Sequence, residues 1–183
     1  DIRNENANTD RTVKVNQIVD YFDAKYEKTG IKVGTAIDET TGEVTGELSV
    51  SNVENVNSKY NKITIDTTKL GEIAGTGENH KTIYVKFDLS KAQIAEILNG
   101  EQSNAPLDNV AEITSYSTLQ NGKPYAAIDK DSIPNNSKIG EENTYEDDTD
   151  RAPSFVLHPE DDRTLSGTVF IDNAKEFGKG NVR

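Results

Sequence analysis

Residues 82–89 read TIYVKFDL, with Ile83, Val85, Phe87 and Leu89 separated by residues that tolerate water. Successive side chains of a β-strand point to opposite faces, so a period of two marks a strand with one buried side. Shorter versions of the pattern occur at Val13 and Val15, Ile31 and Val33, Leu48 and Val50, and Ile63 and Ile65. The segments DETTGE (38–43), GTGEN (75–79) and NGKP (121–124) lie between them and have turn chemistry. Short strands at this spacing predict an all-β sandwich.

One short inserted helix is expected over 91–98. Ser90 and Gln93 match a capping box, Ile94, Ile97 and Leu98 share one helical face, and Asn99-Gly100 supplies a stop. Residues 15–26 are ambiguous. Ile18, Val19 and Phe22 fit a helical face although Val13 and Val15 begin as a strand, so a strand running into a helical turn is expected. Later strands are predicted over 107–117, at YAAI (125–128), at Phe155–Leu157 and over 164–172. Tyr116 and Tyr125 flank a turn and are expected to pack across it. The domain plan is a polar, linker-like start at 1–11 and a β-sandwich at 12–162, with 163–183 left for a following module or a C-terminal strand. The absence of Met at position 1 leads us to expect a mature or excised segment.

Composition narrows the function. With 183 residues, 33% of them hydrophobic and neither Trp nor Met, the core is thin and aliphatic. A net charge of −12 argues against nucleic-acid binding, which needs clustered Lys and Arg, and against an anionic membrane surface. No apolar run has transmembrane length. Cys is absent, which removes disulfides, thiol catalysis and thiolate metal sites. No P-loop, G-x-S-x-G or H-E-x-x-H pattern occurs, and neither His80 nor His158 has a spaced partner, so no enzyme is expected.

The densest chemistry lies at 128–150, IDKDSIPNNSKIGEENTYEDDTD, where eight carboxylates face two lysines and hold half of the chain's net charge. Asp129, Asp131, Asp147, Asp148 and Asp150, with Ser and Asn oxygens nearby, are the donor types that Ca²⁺ recruits. The pattern lacks the glycine and glutamate of an EF-hand loop. Two readings stand side by side: a structural Ca²⁺ joining both halves of a long loop, or a solvated run of charge.

LDNVAEITSYS (107–117) resembles the closing strand of Ig-like repeat modules in large cell-wall-anchored proteins of Gram-positive bacteria. AAIDKDSIPNN (126–136) with TYEDDTDRAP (144–153) resembles a recurrent passage in surface proteins of clostridia and their relatives. RTLSGTVFID (163–172) is similar to the opening strand of serine-aspartate-repeat B-type modules. These stretches cover just under a quarter of the chain, and their order supports the likeness more than any one of them alone.

The resemblance implies an Ig-like antiparallel β-sandwich from an adhesin-like, secreted protein, anchored to the cell wall through other parts of its parent. Its partners would be neighbouring modules and a host protein or glycan. It also raises an internal Lys–Asn isopeptide crosslink, which needs a buried Lys, an Asn and a carboxyl that moves protons. Asn109 has the core-facing parity of Leu107, Ala111 and Ile113. Lys32, Lys62 and Lys86 fall out of phase with their apolar neighbours; Lys14 does too, but is the least unfavourable partner. The alternative function is a carbohydrate-binding accessory module, which Tyr side chains gathered on one exposed face would favour.

Overall fold

The computed structural model describes residues 1–4, 10–75, 80–99, 107–126, 132–141 and 144–152. In chain order its strands are β1 (Ile2–Arg3), β2 (Arg11–Asp23), β3 (Lys32–Ile37), β4 (Val44–Glu47), β5 (Ser49–Val50), β6 (Glu54–Asn55), β7 (Tyr60–Asp66), β8 (Ile73–Ala74), β9 (His80–Lys81), β10 (Tyr84–Lys86), β11 (Asn109–Gln120), β12 (Lys123–Pro124) and β13 (Thr149–Arg151). One α-helix, α1 (Lys91–Leu98), interrupts them among the described residues. The fold is all-β and sandwich-like.

The largest sheet is built on two long antiparallel neighbours, β2 and β11. β7 and β8 pair with the other edge of β2, while β5 and β6 extend the sheet beyond β7. β12 and β13 pair with β11. A second sheet has the order β10-β3-β4, and β1 pairs with β9 in a small ribbon.

β2 shows why its sequence resembled a helix. It is a continuous strand of 13 residues, and no helical turn follows Val15. Two features break the simple alternation. The register with β11 shifts between Ile113, Ser115 and Tyr116, so Val15 and Ile18, three residues apart, both reach the same core. Beyond that irregularity the strand is covered on both faces, and residues 18–23 are all buried. A doubly covered strand shows a continuous apolar run instead of a period of two.

Ile18 and Phe22 from β2, Ile63 and Ile65 from β7, and Ala111 from β11 form the main core with Ile2, Val33, Ile73 and Ile83. Phe87 closes one end, its ring centroid 4.7 Å from that of Phe22 and 5.0 Å from that of Tyr26. Gly34 lets β3 and β4 approach closely: a Cβ there would lie 2.2 Å from the Thr45 carbonyl oxygen. The opposite face of β2 and β11 presents Val19, Tyr21 and Val110, on which Ile139 and Tyr145 pack. The described part of the acidic segment, residues 132–141 and 144–148, is therefore a flap over the outer face of the main sheet.

Other expectations meet mixed outcomes. The helix at 91–98 is present, and Ser90 Oγ accepts from the Gln93 amide at 3.2 Å. Its inward residue is Gln93, 3% exposed, whereas Ile94 is 43% exposed, so the expected apolar face does not turn inward at Ile94. The 83–89 alternation yields a strand of only three residues, β10. Tyr116 packs against the main core, while Tyr125 lies beneath the Arg11 guanidinium, whose carbon is 4.8 Å from the ring centroid. The strands predicted at 155–157 and over 164–172 lie outside the described residues.

Candidate functional site

Three buried acids of the β2–β11 pair organise the candidate site. They occupy different surroundings, and each has a different answer to the cost of burying a carboxylate.

Asp108 sits just before β11 and is 2% exposed. Its Oδ2 accepts from Tyr60 Oη at 2.7 Å and from Lys59 Nζ. Its Oδ1 accepts from Arg151 Nε at 2.8 Å and from Arg151 Nη2. Burial pushes the carboxyl up, but the donors from Lys59, Tyr60 and Arg151 outweigh it and leave Asp108 below the usual aspartate range. The same contacts with Asp108 and Tyr60 raise Lys59. This cluster ties the starts of β7 and β11 to β13.

Glu112 faces the flap and is 1% exposed. Its Oε1 accepts the backbone amides of Asn136 at 2.8 Å and Ser137 at 3.2 Å, which fastens the flap to β11. Burial, the Glu112 charge and a hydrogen bond to Glu112 together push Tyr21 up to about 12. Asp148 lies nearby at 6% exposure, with Oδ1 accepting from Thr149 Oγ1 at 3.1 Å and Oδ2 buried without a hydrogen-bond partner among the described residues. Burial raises Asp148 to about 6, and the charges of Glu112, Glu146 and Asp147 push in the same direction against the Thr149 hydrogen bond. Glu146 Oε2 takes the Ile133 amide at 2.6 Å and Asn136 Nδ2 at 3.1 Å.

Asp20 lies under the opposite face, in the main core. It is 1% exposed, and its Oδ1 accepts from Asn109 Nδ2 at 3.0 Å. A cavity of about 20 Å³ beside it is lined chiefly by Ile18, Ile65, Ile83, Val85 and Ala111. Burial pushes Asp20 up to about 7, and the Asn109 hydrogen bond offsets only part of that rise.

The residues singled out in the sequence separate as follows. Asp129 and Asp131 lie outside the described residues. Asp147 and Asp148 are in the flap beside Glu112 and Glu146, whereas Asp150 is in β13, opposite Ala111, and accepts the Arg151 amide at 2.8 Å. Among the described residues no three acidic or histidine side chains converge closely enough to hold a metal ion. Asn109 is core-facing as its parity required, but Lys14 is not its partner. Lys14 pairs with Ser117 and Asn109 with Phe22, which places them on the order of 25 Å apart along β2 at ~3.3 Å per residue. Lys32 and Lys62 turn outward to Glu43 at 3.6 Å and Glu54 at 3.3 Å, as their phase predicted.

Sequence reasoning passed over Asp20, Asp108 and Glu112. Asp20 falls among the apolar residues Ile18, Val19, Tyr21 and Phe22, and a lone acid inside such a run was the available signal. The main sheet, its acidic flap and its buried acids define an all-β sandwich-like protein. No family model, curated protein or solved structure matches the chain.

Proposed function

We propose that this chain is an extracellular, non-catalytic adhesin-like or stalk module of a bacterial surface protein, with the acidic flap stiffened by Ca²⁺. The supporting observation is the use to which the buried charge is put. Asp108 joins β7, β11 and β13, and Glu112 holds the flap by two backbone amides. Each carboxylate is engaged by groups of this same chain, an arrangement suited to stiffness. The likeness of 107–117, 126–136 and 144–153 to cell-wall-anchored repeat modules supplies the cellular setting.

Asp148 supports the metal. Its buried Oδ2 lacks a donor among the described residues, and an oxygen-seeking cation would satisfy it while neutralising the charges of Glu146 and Asp147. Asp129 and Asp131 are the further oxygen donors that the sequence offers. The bound ion would tether the two ends of the segment and lower their mutual repulsion.

The tyrosines favour a stalk over a glycan-binding module. All seven lie within the described residues, and none is exposed. Stacking platforms for sugar rings need open aromatic faces. The test is electrophoresis of the folded chain through gels containing soluble polysaccharides. Migration unchanged by any of them is the expected result, and marked retardation by one would overturn the stalk reading in favour of a carbohydrate-binding module.

A further inference from the structure

The contact between Asp20 and Asn109 leaves two loose ends. Asn109 Nδ2 donates to Asp20 Oδ1, and its second acceptor is the Tyr21 carbonyl at 3.5 Å. Among the described residues Asp20 Oδ2 and Asn109 Oδ1 are both buried with no hydrogen-bond partner. Both are acceptors if the acid is ionised, so neither can satisfy the other. A single proton on Oδ2 changes that: the acid becomes a donor and the amide oxygen its acceptor. A planar carboxyl and a planar carboxamide then meet through two hydrogen bonds, and both orphan atoms vanish together.

We infer that Asp20 is a neutral carboxylic acid in the native protein, paired at two points with Asn109, and that its ionisation is a pH-sensitive weak point of the sandwich. The surroundings agree from every side. On β11 the facing residues are Asn109 and Ala111, whereas Glu112 points into the flap; on β7 they are Ile63 and Ile65. Across the cavity stand Ile2, Ile83 and Val85. The one other charged residue lining that cavity is Asp1, whose Oδ1 accepts from Thr82 Oγ1 at 2.6 Å and whose Oδ2 lies 3.8 Å from Arg3. Its side chain is itself an acid, already engaged by Thr82 and Arg3. Loss of the proton would leave an anion in an apolar layer, with only one amide arm to hold it.

The sign of the effect follows from proton binding. The unfolded acid releases its proton near pH 4, and the native one holds it until about pH 7. Stability from Asp20 is therefore full below about pH 4 and is lost as pH rises through about 7. Asp148 loses most of its own contribution by about pH 6, so Asp20 dominates the interval from pH 6 to pH 8.

The experiment is a pH titration of the Asp20 side-chain carboxyl carbon by NMR in the intact chain, with urea unfolding at pH 6 and pH 8. A midpoint near 7 is expected, with the folded-to-unfolded ratio falling about twentyfold across that interval, about tenfold of it from Asp20. Asp20→Asn keeps both arms of the pair as amide to amide, and should cut that loss to about twofold, the residue left by Asp148. An Asp20 midpoint near 4 would overturn the inference. So would a folded variant that retained the full wild-type loss. Should Asp20→Asn fail to fold, the wild-type NMR midpoint decides alone.

Discussion

Asp108 and Arg151, 43 residues apart, meet at the edge of the main sheet, where Arg151 Nε donates to the buried Asp108 Oδ1 at 2.8 Å. The contact draws the end of the flap back to the start of β11, and Lys59 and Tyr60 hold the other carboxylate oxygen. The charge is well supplied with donors, yet two of those donors reach water: the Lys59 side chain is 56% exposed and that of Arg151 28%.

Asp108→Ala is accordingly expected to destabilise the protein by about 1–3 kcal/mol, below the cost of breaking a fully buried pair. Because the folded-state pKa of Asp108 is depressed, its contribution is present above the unfolded value near 4 and is lost as pH falls through the folded one. Urea unfolding at pH 6 and again below pH 4 checks this. The gap between wild type and variant should narrow in acid, and a gap independent of pH would show that the carboxylate charge is not what matters. Lys59→Ala should cost under about 1 kcal/mol, since its ammonium is mostly hydrated.

The strands with one wet face were the legible part of this fold. Ile63 and Ile65 in β7 alternate cleanly because the sheet covers only one side of that strand there. β2 hid behind its own burial: coverage of both faces and a register shift erased the period of two. The core-facing parity of Asn109 could be read from Leu107, Ala111 and Ile113. Its real neighbour could not, because the pairing of β11 with β2 is set by register over a sequence separation of 89 residues. A helix cap needs only local residues, so Ser90 with Gln93 was visible, whereas the burial of Gln93 in place of Ile94 depends on what the helix packs against.

Removing the Glu112 anchor should loosen the flap. Glu112→Ala leaves the Asn136 and Ser137 amides and the Tyr21 hydroxyl without their buried acceptor, at a cost of about 2–4 kcal/mol. Trypsin should then cut after the exposed Lys138 well before it attacks the main sheet. Time courses read by mass spectrometry distinguish this from general unfolding, in which cleavage would spread along β2 and β11 at the same rate. Unchanged cleavage after Lys138 would mean that Glu112 does not hold the flap.

Proton and metal should compete at Asp148. Its raised pKa means that stability from this group is full below about pH 4 and is lost as pH rises through about 6, where Ca²⁺ would begin to relieve the ionised form. Millimolar Ca²⁺ should therefore raise the melting temperature over EDTA more at pH 7.5 than at pH 5. Asp148→Asn should raise the melting temperature in EDTA and remove the response to Ca²⁺, as should Asp129→Ala combined with Asp131→Ala. Identical melting in Ca²⁺ and EDTA at pH 7.5 would make the flap a solvated acidic segment.

Asn109 offers a last quantitative check. An isopeptide bond forms when a lysine amine attacks the carboxamide carbon and ammonia leaves, so each crosslink lowers the mass by one ammonia. The carboxamide is buried beside an acid, as such a reaction requires, but its side-chain hydrogen bonds among the described residues run to Asp20 and Tyr21, and Lys14 is at the far end of β2. With the carboxamide engaged by Asp20 and Tyr21 and the Lys59 ammonium engaged by Asp108, the intact mass should equal the sequence mass, and Asn109→Ala should change it by the side-chain difference alone. A deficit of one ammonia in the wild type, abolished in Asn109→Ala and retained in Lys14→Ala, would mean that another lysine reaches Asn109, with Lys59→Ala the next variant to weigh.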